Sequence, residues 1–383
     1  MKIVRSELLV LGDRPGEGDA AGRVPDLPIL RLHTDEGPVG LSEIFSVPSG
    51  VARAVLDGPD SFFGRLLVGE PLVHPEALRT RLYESMLHGN RRGWAMICLG
   101  AVDVALWDLY GKQLGQPVWQ LLGGAERAHG QVVPGHGDGR AVVPYATVWD
   151  PANRPDAQVA LAVRARELGF RAVKVEPMNS PPATIVEVTR RTREAIGPDA
   201  LLAVDVGYLW NDVGTAARVS RGIAPYGVLF LETPFPVDAL EAYARLAAVS
   251  PVPLAAGEHT VTRWEFLDLM ERGRVGVVQP YMTTCGGLSE ARRIVDLARA
   301  RGVSVCPGNW STALLGAATV HLALHSPVTP LIEMSAARLY GSPLRRALED
   351  AGLPLQDGAI APPAAPGIGV ELPAELIAHF RVG

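Results

Sequence analysis

Lysine is the scarcest charged residue of this chain. Only Lys2, Lys112 and Lys174 occur among the 36 basic residues, so the other 33 are arginines. Arginine keeps its charge at any ordinary pH, whereas a lysine can lose its proton when its surroundings lower its pKa. Because the chain uses arginine wherever a solvated cation is enough, an internal lysine predicts a chemical role.

Cysteine is equally rare, and long hydrophobic runs are missing. Cys98, Cys285 and Cys306 are scattered without zinc-ligand spacing, which excludes a disulfide framework and a zinc module. The sequence has no run of about 18 apolar residues, as a membrane-spanning helix would need. The N-terminal residues have only a short apolar stretch and no small-residue cleavage site, so no secretory signal is expected. These absences predict a cytoplasmic globular protein.

Positive charge is not in excess either. Lys plus Arg number 36 against 41 Asp plus Glu, which gives a formal net charge of -5. With no basic stripe to neutralise a phosphate backbone, nucleic-acid binding is not expected. Hydrophobic residues, by contrast, make up 48% of the 383 residues. This length and composition predict two or three domains, or one large barrel with an appendage.

Residues 1–125 have the pattern of a mixed α+β domain. Two apolar segments predict strands, the second with a turn at residues 35–37: IVRSELLVL and LPILRLHTDEGPVGLSEI. Residues 94–111 have apolar side chains at helical spacing, and Gly111 is expected to end that helix. The next segment, AERAHGQVVPGHGDGR, is rich in Gly and polar residues, so we expect it to cross between domains.

Residues 126–345 alternate short apolar runs with helical stretches. Eight runs are separated by seven helical segments: VVPYATVW, AVKVEP, LLAVDVG, VLFLETP, VPLAAGE, VGVVQPY, VSVCPGN and TPLIEM. This alternation predicts an α/β fold with a parallel (β/α) barrel. An open doubly wound sheet would also alternate, but no GxGxxG follows the first run, so a dinucleotide-binding sheet has little support. The proline-rich segment 346–383 resembles no barrel unit and is expected to pack back on the first domain.

Three successive runs, the third to the fifth, carry a carboxylate at or near their ends at matched spacing. Asp205, Glu232 and Glu258 lie 27 and 26 residues apart, the length of one βα unit. Because the C-terminal ends of barrel strands converge on one site, three successive strands would bring these side chains together. Such close like charges repel unless a cation holds them, and an all-oxygen site suits Mg²⁺. The sequence therefore predicts a magnesium site, although any one acid alone would more simply cap a helix or pair with an arginine.

Other strand ends supply further candidates for the same site. Lys174 ends AVKVEP and is expected to point into the barrel mouth or interior, where it would stabilise an anion or act as a base. Glu333 ends the last run, as a general acid, an acceptor for substrate or a partner of Arg338. His259 follows Glu258 and would reach the pocket only if the strand is already turning into loop there.

These residues resemble the enolase superfamily, specifically its mandelate racemase/muconate lactonizing enzyme branch. The strongest motif is AVDVALWDLYGKQLGQPVWQLLGG at residues 101–124. The other motifs follow in the family's order over nearly the whole chain: AVKVEP, AVDVGYLW, LFLETPF, LAAGEHTVTRW, VVQPYMTTCGGLSEARRI and PGIGVELP. The segment GEHTVTRWEF further resembles acid-sugar dehydratases of the rhamnonate type. The resemblance implies a modified TIM (β/α) barrel with an N-terminal α+β capping domain completed by the C-terminal tail, and a homo-oligomer.

The resemblance also implies a chemistry. Mg²⁺ held by Asp205, Glu232 and Glu258 would stabilise the enediolate that forms when the proton alpha to a substrate carboxylate is removed. Lys174 would add positive charge at the same oxygens. A capping-domain loop around residues 12–26 would close the pocket over a small carboxylate substrate.

Three positions depart from the family's pattern. Glu176 stands where a second basic residue usually follows Lys174, and Tyr281 and Gly308 stand where an Asp and a His often form the base. We therefore expect a dehydratase-like lyase in which Lys174, or else Tyr281 or Glu176, takes the alpha proton. Tyr281, Glu333 or a metal-held water would assist departure of the β-hydroxyl. The alternatives are an isomerase, cycloisomerase or epimerase on a carboxylate, and a metal-binding homologue without catalysis.

Overall fold

The chain begins with an antiparallel sheet of three strands in sequence order. The computed structural model describes residues 1–17, 22–124 and 141–382. The strands are β1 (Ile3–Leu11), β2 (Leu27–Thr34) and β3 (Val39–Glu43), with the predicted turn between β2 and β3. The linker predicted at residues 125–140 lies outside the described residues, as does part of the predicted pocket-closing loop.

Five helices follow the sheet. They are α1 (Ser49–Leu56), α2 (Gly64–Leu67), α3 (Pro75–Met86), α4 (Trp94–Leu114) and α5 (Val118–Leu121). By length and composition α4 could cross a membrane, but 89% of its most apolar window is buried inside the protein. Because α4 packs on the capping sheet, on α3 and on a barrel helix, it is apolar on all sides as a core helix is.

The long helix α4 ends three residues later than predicted. It runs past Gly111 to Leu114 and ends at Gly115, whose φ of 65° is left-handed. A Cβ at Gly111 would lie 2.7 Å from the Cα of Gly367. The prediction that Gly111 ends the helix was therefore wrong, because this glycine instead lets the C-terminal segment pack directly against α4.

Eight parallel strands form the barrel, with helices between them. The strands are β4 (Pro144–Val148), β5 (Ala172–Val175), β6 (Leu201–Asp205), β7 (Val228–Glu232), β8 (Leu254–Ala256), β9 (Val277–Val278), β10 (Ser304–Val305) and β11 (Ile332–Met334). Their order in the sheet is β10-β9-β8-β7-β6-β5-β4-β11. The backbone N–H of Glu333 donates to the carbonyl of Pro307 at 2.9 Å and so joins the two edges. The predicted barrel is confirmed, and the open sheet is excluded.

Seven helices connect these strands. They are α6 (Pro155–Glu167), α7 (Pro182–Ile196), α8 (Val213–Ile223), α9 (Leu240–Ala247), α10 (Thr262–Glu271), α11 (Leu288–Arg301) and α12 (Ala313–His325). Two of them begin at side chains that accept backbone N–H groups: the Asp212 carboxylate caps α8, and the Thr312 hydroxyl caps α12. The strand ends that precede these helices form the mouth of the barrel.

The C-terminal segment returns to the first sheet. It contains α13 (Pro343–Gly352), β12 (Leu355–Gln356), β13 (Ala359–Ile360) and α14 (Ala374–Phe380). The N–H of Gly12 donates to the carbonyl of Phe380 at 2.8 Å, and the N–H of Val382 to that of Val10 at 3.0 Å. The tail therefore completes the capping domain as predicted, while the exact boundaries at residues 125 and 345 stay predictions.

Buried polar contacts fix the capping domain on the barrel. Asp103 of α4 accepts both the N–H and the hydroxyl of Ser289 in α11, at 2.8 and 2.6 Å. The Trp107 ring N–H donates to the same hydroxyl at 2.8 Å. Over the mouth, the ring of Phe45, which follows β3, stacks on Tyr281, which follows β9, at 5.9 Å. The capping sheet thus covers the C-terminal ends of the strands, where the predicted site lies.

Candidate active site

The residues predicted from the strand ends come together. Lys174 lies within β5, Asp205 and Glu232 are the last residues of β6 and β7, and Glu258 follows β8 by two residues. Tyr281 follows β9 at the same end of the barrel. The remaining members are Glu176, just beyond β5, and Glu333 in β11. Six of these side chains are buried in the mouth that the capping domain covers, and Glu258, with 26% of its side chain exposed, lies at the edge of that mouth.

Lys174 lies at the centre of a carboxylate cluster. Its Nζ is 2.9 Å from Glu232 Oε1 and 3.1 Å from Glu333 Oε1. It is also 3.3 Å from both Asp205 Oδ2 and Glu176 Oε1. Burial lowers the pKa of Lys174, but the carboxylates of Glu232 and Glu333 outweigh it, so the pKa lies well above 10.5. Lys174 is therefore an ammonium group inside the barrel.

Asp205, Glu232 and Glu258 repel one another. Burial and then the charge of Asp205 raise the pKa of Glu232 well above 4.5, and the same two causes raise the pKa of Glu258. Asp205 Oδ1 accepts the hydroxyl of Thr233 at 2.6 Å, and Glu258 Oε1 accepts that of Tyr208 at 2.7 Å. Glu232 Oε2 is buried without a hydrogen-bond partner among the described residues. Three repelling carboxylates with one unpartnered oxygen are a donor set that fits a hard cation.

The side chains are not already arranged as a metal site. Across residues 1–17, 22–124 and 141–382, no group of three or more His, Cys, Asp or Glu side chains stands ready to hold a metal. The Lys174 ammonium binds Asp205 and Glu232, while Tyr208 binds Glu258. A divalent cation would therefore share or replace these contacts, which the charge and oxygen chemistry of the three carboxylates allow.

Glu333 and Tyr281 form the opposite side of the cluster. The Tyr281 hydroxyl donates to Glu333 Oε2 at 2.9 Å and accepts the N–H of Trp310 at 2.9 Å. Glu333 also accepts the N–H of Asn309 and the hydroxyl of Thr147. Burial raises the pKa of Glu333, but Lys174, Thr147 and Tyr281 outweigh it and the net shift is downward. Glu333 is thus held ionised as an acceptor between Lys174 and Tyr281.

Glu176 lies beside Lys174 in a similarly closed environment. Burial raises the pKa of Glu176 well above 4.5, opposed by the Lys174 charge and assisted by that of Asp205. A buried carboxyl with a raised pKa is a typical proton-transfer group. Position 176 therefore has an ionisable side chain in contact with Lys174, although it is not the basic residue usual in the family.

The structure also places Arg338 and His259, two residues that the sequence analysis connected with the site. Arg338 pairs with Asp350 and Glu349, so it is not the partner of Glu333. His259 lies at the rim with 64% of its side chain exposed, and its Nε2 is 3.5 Å from Glu258 Oε1. Its ring stacks on Tyr208 at 5.4 Å. The Tyr208 hydroxyl in turn binds Glu258.

The ring of Tyr281 packs directly against Gly308. A Cβ on Gly308 would lie 1.9 Å from Cε2 of Tyr281. The tyrosine ring thus fills the space that any side chain at position 308 would need. Sequence reasoning treated the two departures separately and missed this contact. It also missed Thr147 and Trp310, for which the only signal was their place at the ends of the first and seventh barrel strands.

Fold and site together define a class: a capped (β/α) barrel enzyme whose acidic residues meet at the strand ends. Comparison with known families agrees. Residues 23–123 match the N-terminal domain of mandelate racemase and muconate lactonizing enzyme, and residues 157–376 match the enolase C-terminal domain-like family. The chain belongs to the mandelate racemase/muconate lactonizing enzyme family of the enolase superfamily, whose members use Mg²⁺.

Relatives of the chain include both dehydratases and cycloisomerases. Arabinonate dehydratase of Saccharolobus solfataricus is 30% identical over 88% of this chain and 86% of its own. D-galactarolactone cycloisomerase of Agrobacterium fabrum is 28% identical over 92% and 91%. The crystal structure of 3,6-anhydro-D-galactonate cycloisomerase from Zobellia galactanivorans covers both chains fully, with 25% identity and a TM-score of 0.85. The protein is accordingly an enzyme of the lyase or isomerase type.

Proposed function

We propose that the protein is a Mg²⁺-dependent lyase that removes the proton alpha to the carboxylate of a hydroxy acid and so dehydrates an acid sugar. The observation that carries this proposal is the position of Lys174 Nζ within 3.3 Å of four carboxylates, two of them the expected ligands Asp205 and Glu232. Relatives named as arabinonate and galactonate dehydratases support the reaction class.

Asp205, Glu232 and Glu258 would hold the cation. The chemistry that Mg²⁺ supplies when bound is stabilisation of the negative charge that grows on the substrate carboxylate as the alpha proton leaves. Lys174 contributes a second positive charge beside the same oxygens. Burial under the capping domain excludes water, which strengthens both contributions.

The protein's own proton-transfer groups lie at two ends of the cluster. Glu176, whose Oε1 lies 3.3 Å from Lys174 Nζ, forms the base end, and the Lys174 ammonium stays charged beside it. The charge of Lys174 favours the carboxylate form of Glu176, which accepts the proton. Tyr281 forms the acid end, where its hydroxyl is held by Glu333 and would protonate the departing β-hydroxyl. A base on one face only suits elimination better than racemisation, which needs an acceptor on each face.

A cycloisomerase is the second candidate. It is favoured by the D-galactarolactone and 3,6-anhydro-D-galactonate cycloisomerase relatives, which match nearly the whole chain. The same base end would start either reaction, and only the fate of the enediolate would differ. Product analysis therefore separates the two candidates.

The test is incubation of the protein with Mg²⁺ and a panel of acid sugars and their lactones in deuterated water. A 2-keto product, together with deuterium exchange at the alpha carbon of the recovered substrate, is the expected result. Lys174→Ala should abolish both, and Lys2→Ala is the matched control because Lys2 is an exposed lysine outside the site. Exchange without a keto product would assign the isomerase branch instead. Neither exchange nor product on a broad panel, or full activity in Lys174→Ala, would contradict the proposal.

A further inference from the structure

Two opposite charges are buried where the capping sheet meets the barrel. Glu43, the last residue of β3, is fully buried, and Arg345, in the first turn of α13, is 7% exposed. Among the described residues, Glu43 Oε1 and both Nε and Nη1 of Arg345 have no hydrogen-bond partner. Arginine cannot lose its charge, and a buried ionisable group is unfavourable while some of its polar atoms stay without partners. These two groups therefore need something between them.

A small cavity lies beside Arg345 and beside Thr312, the residue that binds Glu43. Its volume is about 10 Å³, and Asn309, Thr312 and Arg345 are among its lining residues. Thr312 donates its hydroxyl to Glu43 Oε2 at 2.5 Å, and Asn309 Oδ1 also has no partner in the described part of the chain. A cavity of this size admits about one water, which needs two to four polar partners. The unpartnered donors of Arg345 and the unpartnered Oδ1 of Asn309 line the cavity, and the unpartnered Oε1 of Glu43 belongs to the side chain that Thr312 binds.

Glu43 and Arg345 are each connected to Tyr281 through one other residue. On the Glu43 side, Phe45 lies two residues further along the chain and stacks on the Tyr281 ring at 5.9 Å. On the Arg345 side, the guanidinium carbon lies 5.4 Å from the Trp310 ring centre, and Nη2 is 3.5 Å from the Trp310 carbonyl oxygen. The N–H of Trp310 in turn donates to the Tyr281 hydroxyl at 2.9 Å. Phe45 and Trp310 thus contact Tyr281 from two sides, and Glu43 and Arg345 lie one step behind them.

We propose that Glu43, Arg345 and one buried water form a clasp across the domain joint that positions Tyr281. The proposal rests on the proposed function for the role of Tyr281 as the acid. Glu43 and Arg345 do not touch substrate; they act through Phe45 and Trp310 and are positioning residues. Their function is to keep the capping domain and the acid end of the site in register while the pocket is closed.

A high-resolution crystal structure of the whole protein tests the bridge independently of activity. We expect an ordered water within hydrogen-bond distance of the Arg345 guanidinium and of Glu43 or Asn309. An empty cavity, or a guanidinium paired directly with another group, would overturn the clasp. This observation remains available even if the proposed reaction is not found.

A double-mutant cycle tests the coupling. Glu43→Gln and Arg345→Met should each lower the thermal unfolding midpoint, because each leaves the opposite group buried without its partner. The combined variant should be no less stable than the worse single variant, since it contains no unpaired charge. Strictly additive losses would overturn the proposal. The matched control is Arg346→Met, which removes an exposed arginine from the same helix.

The kinetic readout separates positioning from general destabilisation. In both single variants kcat for alpha-proton exchange should fall about tenfold while KM changes less than about twofold, because a misplaced acid affects the reacting geometry more than binding. Arg345→Lys should recover part of that loss. A loss in Arg345→Met no larger than in Arg346→Met would contradict the proposal. Absence of exchange in the unmodified protein would instead count against the proposed function. The clasp would then be tested by the ordered water in the crystal structure and by the thermal unfolding midpoints of the variants.

Discussion

At the scale of single residues, the site depends on side chains that fit one another in volume and in hydrogen bonding. Tyr281 occupies the volume next to Gly308, and its hydroxyl binds Glu333, which in turn binds Lys174. A larger residue at position 308 would remove the space on which the tyrosine depends. The series of contacts from Lys174 through Glu333 to Tyr281 therefore requires a glycine at position 308, where a side chain would displace the tyrosine ring.

Gly308→Ala should displace the Tyr281 ring, because the new Cβ would lie 1.9 Å from a ring carbon. We expect the free energy of unfolding to fall by about 1–3 kcal/mol and alpha-proton exchange to be lost. Denaturant unfolding and deuterium exchange measure the two effects. Gly276→Ala is the control, since its Cβ would meet its nearest neighbour at an ordinary 3.6 Å. Exchange at the normal rate in Gly308→Ala would show that the ring position is not needed.

Glu43 should give the protein a measurable pH dependence. Burial raises the pKa of Glu43 from 4.5 to about 7, opposed by the Thr312 hydroxyl and by Arg345. Because the folded protein then holds this proton more tightly than the unfolded chain, stability falls as the pH rises from about 4.5 to about 7, by about 3 kcal/mol. In Glu43→Gln this contribution is absent. Unfolding free energies measured across that range should therefore diverge, and parallel curves would contradict the shift.

At the scale of elements, α4 is the joint between the two domains. It packs on the capping sheet and also presents polar side chains to α11, where Ser289 satisfies Asp103 and Trp107 together. Its apolar surface made it resemble a membrane helix, and its burial explains that composition. The helix end at Gly115 and the close approach at Gly111 both follow from this central position.

Ser289→Ala should weaken the joint. The change leaves the Trp107 ring N–H and one oxygen of Asp103 buried without the hydroxyl that binds both. Unsatisfied buried polar groups cost about 1–3 kcal/mol each, so we expect a loss of about 2–4 kcal/mol in denaturant unfolding. Ser85→Ala, which removes a hydroxyl that bonds only within its own helix, is the control. Equal losses in the two variants would show that α4 and α11 are not joined through Ser289.

At the scale of the whole molecule, the barrel brings residues from distant parts of the chain into one mouth and the capping domain closes it. Lys174 and Glu333 are far apart in sequence, yet their side chains meet at 3.1 Å. The C-terminal segment strengthens the cover by binding Val10 in β1 and Gly12 just after it. The burial of the site and its cover by the capping domain are therefore properties of the assembled fold.

Mg²⁺ should stabilise the folded protein. A ligand that binds only the folded state adds about 2.7 kcal/mol at a hundredfold excess over its Kd, so the thermal midpoint should rise on addition of Mg²⁺ and fall with a chelator. Glu232→Gln should abolish the rise, because it removes one of the three proposed ligands. Glu194→Gln, at an exposed surface pair with Arg190, should preserve it. A thermal unfolding midpoint that does not change on addition of Mg²⁺ would contradict the proposed metal site.

The strand ends were predictable because they follow a local rule. A barrel places the last residues of its strands together, so the spacing of Asp205, Glu232 and Glu258 was enough to predict their meeting. The prediction that Gly111 ends α4 failed for a different reason: a glycine permits both a helix end and a close contact. Local sequence does not contain the neighbour that decides between these two uses.

The sequence by itself determined the barrel, the capping domain and the family, because periodicity, strand spacing and motif order are written along the chain. Its shortage of lysine also singled out Lys174. Only the tertiary structure decided how that lysine acts: four carboxylates surround it and keep it protonated. Tertiary packing likewise decided that Tyr281 fills the space at Gly308. Charge and volume act between residues distant in sequence, so their balance exists only once the chain has folded.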